Sequence, residues 1–302
     1  MEGKYTEPVQ IKPEEMTVAS RAQEKALGLI KERFEDSPES DRLAYHNRVH
    51  TLDVIRRAGT IANALGLPKR ERALVHLAAA FHDVVQNSKR VTREDGAIVR
   101  KQHTGENEIK SAQEAVAWMK EQTDVVFSDQ ECELVRTAIL ATTPTWNSEY
   151  GTVVQNTLTS QNNHVVRAVA LADIGSVGME PQNFGREGDA LFIEQEIDIT
   201  QALENAGGVD DISLENQEKY LARYRSWLHS QSSFATGRQT LFENELGDIT
   251  DEAKNNLRQL FAHFDEGITI AQENAEAADA YNFTQMVHRL IPKVLQTESK
   301  HT

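Results

Sequence analysis

An all-α fold is the architecture this sequence predicts, and three observations predict it. Apolar residues recur at three- and four-residue spacing along most of the 302 residues. Few stretches alternate in the Val/Ile/Thr manner of strands. Only seven prolines and 16 glycines punctuate the chain. The first helix is expected over residues 17–34 (TVASRAQEKALGLIKERF), and the second over 41–65, stopped by Gly66 and Pro68. The third, 70–85, is unusually apolar along ALVHLAAAFHDVV. The helix expected at 106–122 opens on Glu106 and Glu108, acids that suit the positive end of a helix. Others are expected at 128–141, 164–174, 186–205, 213–234 and 251–278.

The composition narrows function before any motif is read. Lys and Arg number 32 against 47 Asp and Glu, a formal charge of −15 that repels a nucleic-acid backbone. With 26% charged and 39% hydrophobic residues, the chain has the balance of a soluble globule. No apolar run approaches the roughly 20 residues of a membrane span. The opening MEGKYTEPVQIKPEE has no apolar core of a secretory signal. A single cysteine, Cys132, cannot form an internal disulfide, which fits a reducing compartment, and the expected location is the cytoplasm. Residues 1–16 read as an N-terminal arm, 17–206 as a helical domain, and 207–302 as a helical extension packed on it. GGVDD at 207–211 is the best break.

The informative residues are ionisable groups inside apolar segments. His82 and Asp83 follow LAAAF and precede VV, and Asp173 follows VVRAVALA. His46 and His50 stand four apart in the second expected helix, which puts them on one face, with Asp53 a turn further on. A carboxylate in a dry core without a partner costs several kcal/mol. Besides histidines, the apolar segments carrying these acids offer one nearby base, Arg167. Singly, each residue has an ordinary reading: His76 as a satisfied core histidine, an Asp near a helix end as a cap. The set His50, His82, Asp83 and Asp173 is different, because one divalent cation neutralises several of them at once. Two imidazoles and two carboxylates suit Mn, Fe, Co, Ni, Mg or Zn with open positions for water, rather than a closed thiolate site.

YHNRVHTLDV at 45–54, FHDVV at 81–85 and LADIG at 171–175 resemble, in order and spacing, the H…HD…D signature of the HD superfamily of metal-dependent phosphohydrolases. The resemblance implies an HD-type helical bundle and makes His50, His82, Asp83 and Asp173 the metal ligands. The first segment is also similar to the YHNxxHxxDV motif of cyclic-nucleotide phosphodiesterases, whose leading histidine protonates the leaving oxygen; that role would fall on His46. Propping a metal-bound water is the alternative for His46. The wider phosphodiesterase pattern departs at Gln86, where those enzymes carry a histidine. GENEIKSA at 105–112 resembles a stretch that follows HD in small bacterial HD proteins. That makes Glu106 and Glu108 catalytic candidates, against the plainer reading of acids at a helix start. In place of the leucine that often follows the last aspartate stands Ile174.

Residues 86–105 hold Lys89, Arg90, Arg93, Arg100 and Lys101 against Glu94 and Asp95, a net +3 in an acidic chain. The stretch reads either as a mobile phosphate clamp, with Lys89, Arg90 and Arg93 its contacts, or as a solvated loop. Tyr220, Tyr224 and Trp227 form a stripe that reads as core or as a subunit interface, with Phe234 beyond it. Thr142, Thr143 and Trp146 could line a pocket. The expected activity is metal-dependent hydrolysis of a phosphate ester or anhydride of a small molecule, with a nucleotide favoured by family analogy. A homo-oligomer stays open. The rivals are a cyclic-nucleotide phosphodiesterase, a non-catalytic metal- or nucleotide-binding regulator, and a di-iron oxygenase, for which His76 and His103 are the only spare histidines nearby.

Overall fold

The computed structural model describes residues 17–36, 42–159, 161–206 and 208–294, so the expected N-terminal arm lies outside the described residues. Helix α1 (Val18–Ile30) runs on as a π-helical turn, Lys31–Glu35. Helices α2 (Arg48–Ala64) and α3 (Lys69–Phe81) lead to an antiparallel hairpin of β1 (Ser88–Thr92) and β2 (Ile98–Gln102). Next come α4 (Glu106–Glu121), α5 (Asp129–Leu140), a short hairpin of β3 (Thr145–Asn147) and β4 (Thr152–Val154), and α6 (His164–Asp173). The remainder is α7 (Ser176–Met179), α8 (Pro181–Gln195), α9 (Ile197–Asn205), α10 (Leu214–Leu246), α11 (Asp251–Leu260), α12 (Phe264–Asp279) and α13 (Phe283–Val294).

Helix α3 sits at the centre because it is apolar nearly all round: every residue from Leu74 to Phe81 is buried except His76. It packs against α1, α2, α4, α5 and α6. Val54, Ala58, Ile61 and Ala62 give α2 its buried stripe, and α6 buries Val165 through Ala172. Leu257, Phe261, Phe264 and Ala271 from α11, α12 and the turn between them join this same core. Gly178 permits it, since a Cβ there would lie 2.8 Å from both Phe261 and Phe264. A second cluster, including Phe192, Tyr224, Leu228, Met286 and Leu290, unites α8, α10 and α13. No helix among the described residues is long and apolar enough to cross a membrane.

The helical class and most segments agree with the sequence reading, with five local differences. The second helix begins at Arg48, because the Asn47 side chain accepts from the Val49 and His50 amides and caps it there. His46 therefore lies outside the helix and does not share a helical face with His50 as expected. Residues 86–105 are not an irregular loop but the β1–β2 hairpin, turned at Asp95-Gly96, where Gly96 takes φ +84°. The stretch at 186–205 breaks at Glu196, and that at 251–278 at Phe261. Helix α10 runs twelve residues beyond the expected end to Gly247, whose φ of +64° stops it. His76 is the satisfied histidine expected, with its Nε2 2.8 Å from Gln23 Oε1.

Candidate metal centre and cavity

Three helices deliver four ligand groups to a single point. His50 stands in the first turn of α2, and His82 caps the end of α3 with Asp83 next in the chain. Asp173 is the last residue of α6. Their ligand atoms all lie within 4.8 Å of one another. His82 Nε2 is 3.0 Å from Asp83 Oδ2 and 3.5 Å from Asp173 Oδ1; His50 Nε2 is 3.3 and 3.6 Å from the same two oxygens. The two imidazole Nε2 atoms are 3.4 Å apart. The Nδ1–H of His82 donates to the Ala79 carbonyl at 2.8 Å, which turns the Nε2 lone pair toward the cluster.

This donor set fits a divalent cation. Two imidazole nitrogens and two carboxylate oxygens converge, and among the described residues both acids pair with histidines rather than with a lysine or arginine. Arg167, the base noted in the sequence, points away, donating to the Glu245 and Thr159 carbonyls. Arg57 is buried too, but its Nε donates to the Ala172 carbonyl and its Nη1 to Glu187 at 2.9 Å. Burial alone would push both carboxyls up; the facing histidines outweigh it, holding Asp83 well below the ordinary carboxylate range and Asp173 at about 2. Against the pull of burial, the same contacts raise the His82 pKa well above its ordinary value, and a bound cation would take the place of that proton as counter-charge to the two acids. Asp53 is not part of the group, being paired with Arg56 and Arg186 on the flank of α2.

Asp83 and Asp173 open into a cavity of about 720 Å³. His46 lines it, 6.0 Å between ring centroids from His50. Glu194 of α8 holds this ring: His46 Nδ1–H donates to Glu194 Oε1 at 2.5 Å, while the Tyr45 and His46 backbone amides donate to Oε2. Burial disfavours the charged imidazole, but Glu194, helped by Asp83, outweighs it and lifts the His46 pKa to about 9. Glu108 also lines the cavity; its Oε2 accepts from the Gly105 amide, and burial raises its pKa.

Other expected residues separate. Glu106 is not among the residues lining the cavity: its side chain is 69% exposed and lies 4.0 Å from the His103 ring nitrogen. It stands in the first turn of α4, where an acid meets the positive end of the helix. Lys89 and Arg90 are exposed and do not line the cavity, whereas Arg93 does and also pairs with Glu196 at 3.3 Å. Arg100 and Lys101 line it too. Thr142 and Trp146 are in the wall, but Thr143 is not. The aromatic stripe divides, Tyr224 being core and Trp227 and Phe234 facing the cavity. Glu194, Gln155 and the α10 wall were not found from sequence.

Residues 48–176 match the family model of the HD domain. No curated protein and no solved structure matches the chain. The helical architecture, the ordered ligand motifs and their convergence agree with that match, which makes residues 48–176 an HD-type domain of the kind found in metal-dependent phosphohydrolases.

Proposed function

We propose that this protein hydrolyses a phosphate ester or anhydride of a small molecule, with a nucleotide as the favoured substrate, at a divalent metal held by His50, His82, Asp83 and Asp173. The observation that carries the reading is the convergence of those four ligand atoms within 4.8 Å at a cavity of about 720 Å³. When bound, such a cation supplies Lewis-acid polarisation of a phosphoryl oxygen and a more acidic water.

The chain's own groups supply the rest. His46, protonated on the strength of Glu194, gives a proton from Nε2 to the leaving oxygen. Glu108 takes the proton of the attacking water, with a pKa that burial has moved toward the range of a working base. Arg93 and Lys101 meet the charged phosphoryl group. The less polar wall of Val91, Val99, Phe184, Leu191, Trp227 and Phe234 receives the remainder of the substrate. In this reading the HD-type domain of residues 17–206 carries the metal, and the extension of 207–302 supplies part of the substrate wall.

The test is elemental analysis of the purified protein and of Asp83→Ala, then a phosphoester panel with added Mn. Metal in wild type and none in the variant, together with turnover, supports the proposal. Metal retained by the variant removes the site assignment. The placement of His46 and Glu194 favours a cyclic-nucleotide phosphodiesterase as the second reading, and cyclic against linear nucleotides in the same panel separates the two. Stoichiometric ligand binding without turnover would instead mark a regulator.

A further inference from the structure

Both candidate carboxylate ligands carry a glutamine on the oxygen that faces away from the imidazoles. Gln86 Nε2 donates to Asp83 Oδ1 at 2.8 Å, leaving Oδ2 to His50 and His82. Gln155 Nε2 donates to Asp173 Oδ2 at 3.4 Å, leaving Oδ1 to the same two rings. The direction of the first amide is set by a chain of bonds. The Asn87 amide donates to Asn107 Oδ1 at 2.9 Å, and Asn107 Nδ2 donates to the Asn87 carbonyl at 3.0 Å and to Gln86 Oε1 at 3.5 Å. With its oxygen engaged, Gln86 has its N–H groups for Asp83. Gln155 is 3% exposed, and its Oε1 has no partner among the described residues. Leaving a buried amide oxygen unpaired costs roughly 1–3 kcal/mol. The carboxylate contact of Nε2 is the one polar bond seen for this amide.

We infer that Gln86 and Gln155 are positioning residues that present Asp83 and Asp173 to the cation through one oxygen each. The inference rests on the metal reading above. A carboxylate can chelate through both oxygens only by surrendering the outer one from its amide donor. Small first-row cations accept single-oxygen ligands readily, while calcium is larger and takes more oxygens, often two from one carboxylate. The glutamines thus favour Mn over Ca as well as strengthening binding.

Titration of metal-free protein with Mn, read by the free-ion electron paramagnetic signal, and with Ca, by competition against a chelating dye, tests this. Gln86→Met and Gln155→Met preserve bulk and remove the donor. Each is expected to weaken Mn binding by roughly 10–100-fold. Ca should weaken less, so that the Mn/Ca ratio falls, while metal-free melting temperatures stay close to wild type. Mn affinity and Mn/Ca ratio within two-fold of wild type in both variants would overturn the inference. So would a parallel loss for both ions with a lowered melting temperature, which marks mere structural support. Failure of the wild-type protein itself to bind Mn overturns the metal reading instead.

Discussion

Replacing Glu194 by glutamine separates an acid held ready by its partner from a histidine that merely lines a wall. The substitution keeps side-chain size and an acceptor oxygen for the Tyr45 and His46 amides, which reach Oε2 at 2.9 and 3.0 Å. It removes the largest of the charges that lift His46 from its ordinary 6.5 to about 9, and burial, opposed by Asp83 and Asp173, then draws the ring back toward 6.5. A general acid works only while protonated, so the high-pH limb of the rate should move down with that pKa. At about pH 8 the protonated fraction falls from about 90% to about 3%, roughly a 30-fold loss of rate, whereas at about pH 6 the loss stays under about two-fold. The assay is kcat against pH at saturating Mn, with esters of alkoxide leaving groups compared with nitrophenyl esters, whose departure needs no proton. A profile superimposable on wild type, or an equal loss at both pH values, would refute the assignment.

Three further outcomes follow from the geometry. Arg93→Glu should raise KM for phosphorylated substrates by roughly 10-fold or more, as a charge-assisted contact is lost, while exposed Lys89→Glu stays within about two-fold; equal effects would return both to a solvated surface. Trp227→Ala, which empties one panel of the cavity wall, should raise KM for substrates with an aromatic leaving group by roughly 10-fold, leaving Mn affinity unchanged by direct titration. Gly237→Ala should destabilise the fold by roughly 1–3 kcal/mol in urea unfolding, because the added carbon would meet the Tyr150 carbonyl and Thr152 Cβ, each at 2.6 Å. An unchanged midpoint would show that α10 and the β3–β4 hairpin yield more easily than their contact implies.

The residues that gather at the candidate metal centre were readable because their chemistry conflicts with their surroundings: charged and imidazole groups inside LAAAF-HD-VV and ALAD segments need a shared partner. The basic stretch was misread because its strands are short and half exposed, although Asp95-Gly96 was a hairpin signal available in the sequence. Gln155 follows β4 in a turn-rich segment with no period to read, and a buried glutamine carries no charge to flag it. Glu194 lies 148 residues from His46, so their pairing depends on how α8 folds back, which local pattern does not encode. Trp227 and Phe234 looked like core because a helical stripe has the same spacing whether it meets protein or a cavity.

The partnership of His46 with Glu194 has a consequence for how such a chain can change. All four candidate metal ligands fall within the matched span of residues 48–176, while the proposed proton donor and its anchor both lie beyond its ends. On the proposed roles, ion retention and leaving-group chemistry are thereby inherited from different stretches of polypeptide. Remodelling of the later helices can retune or silence turnover in descendants that still hold their ion as tightly as before.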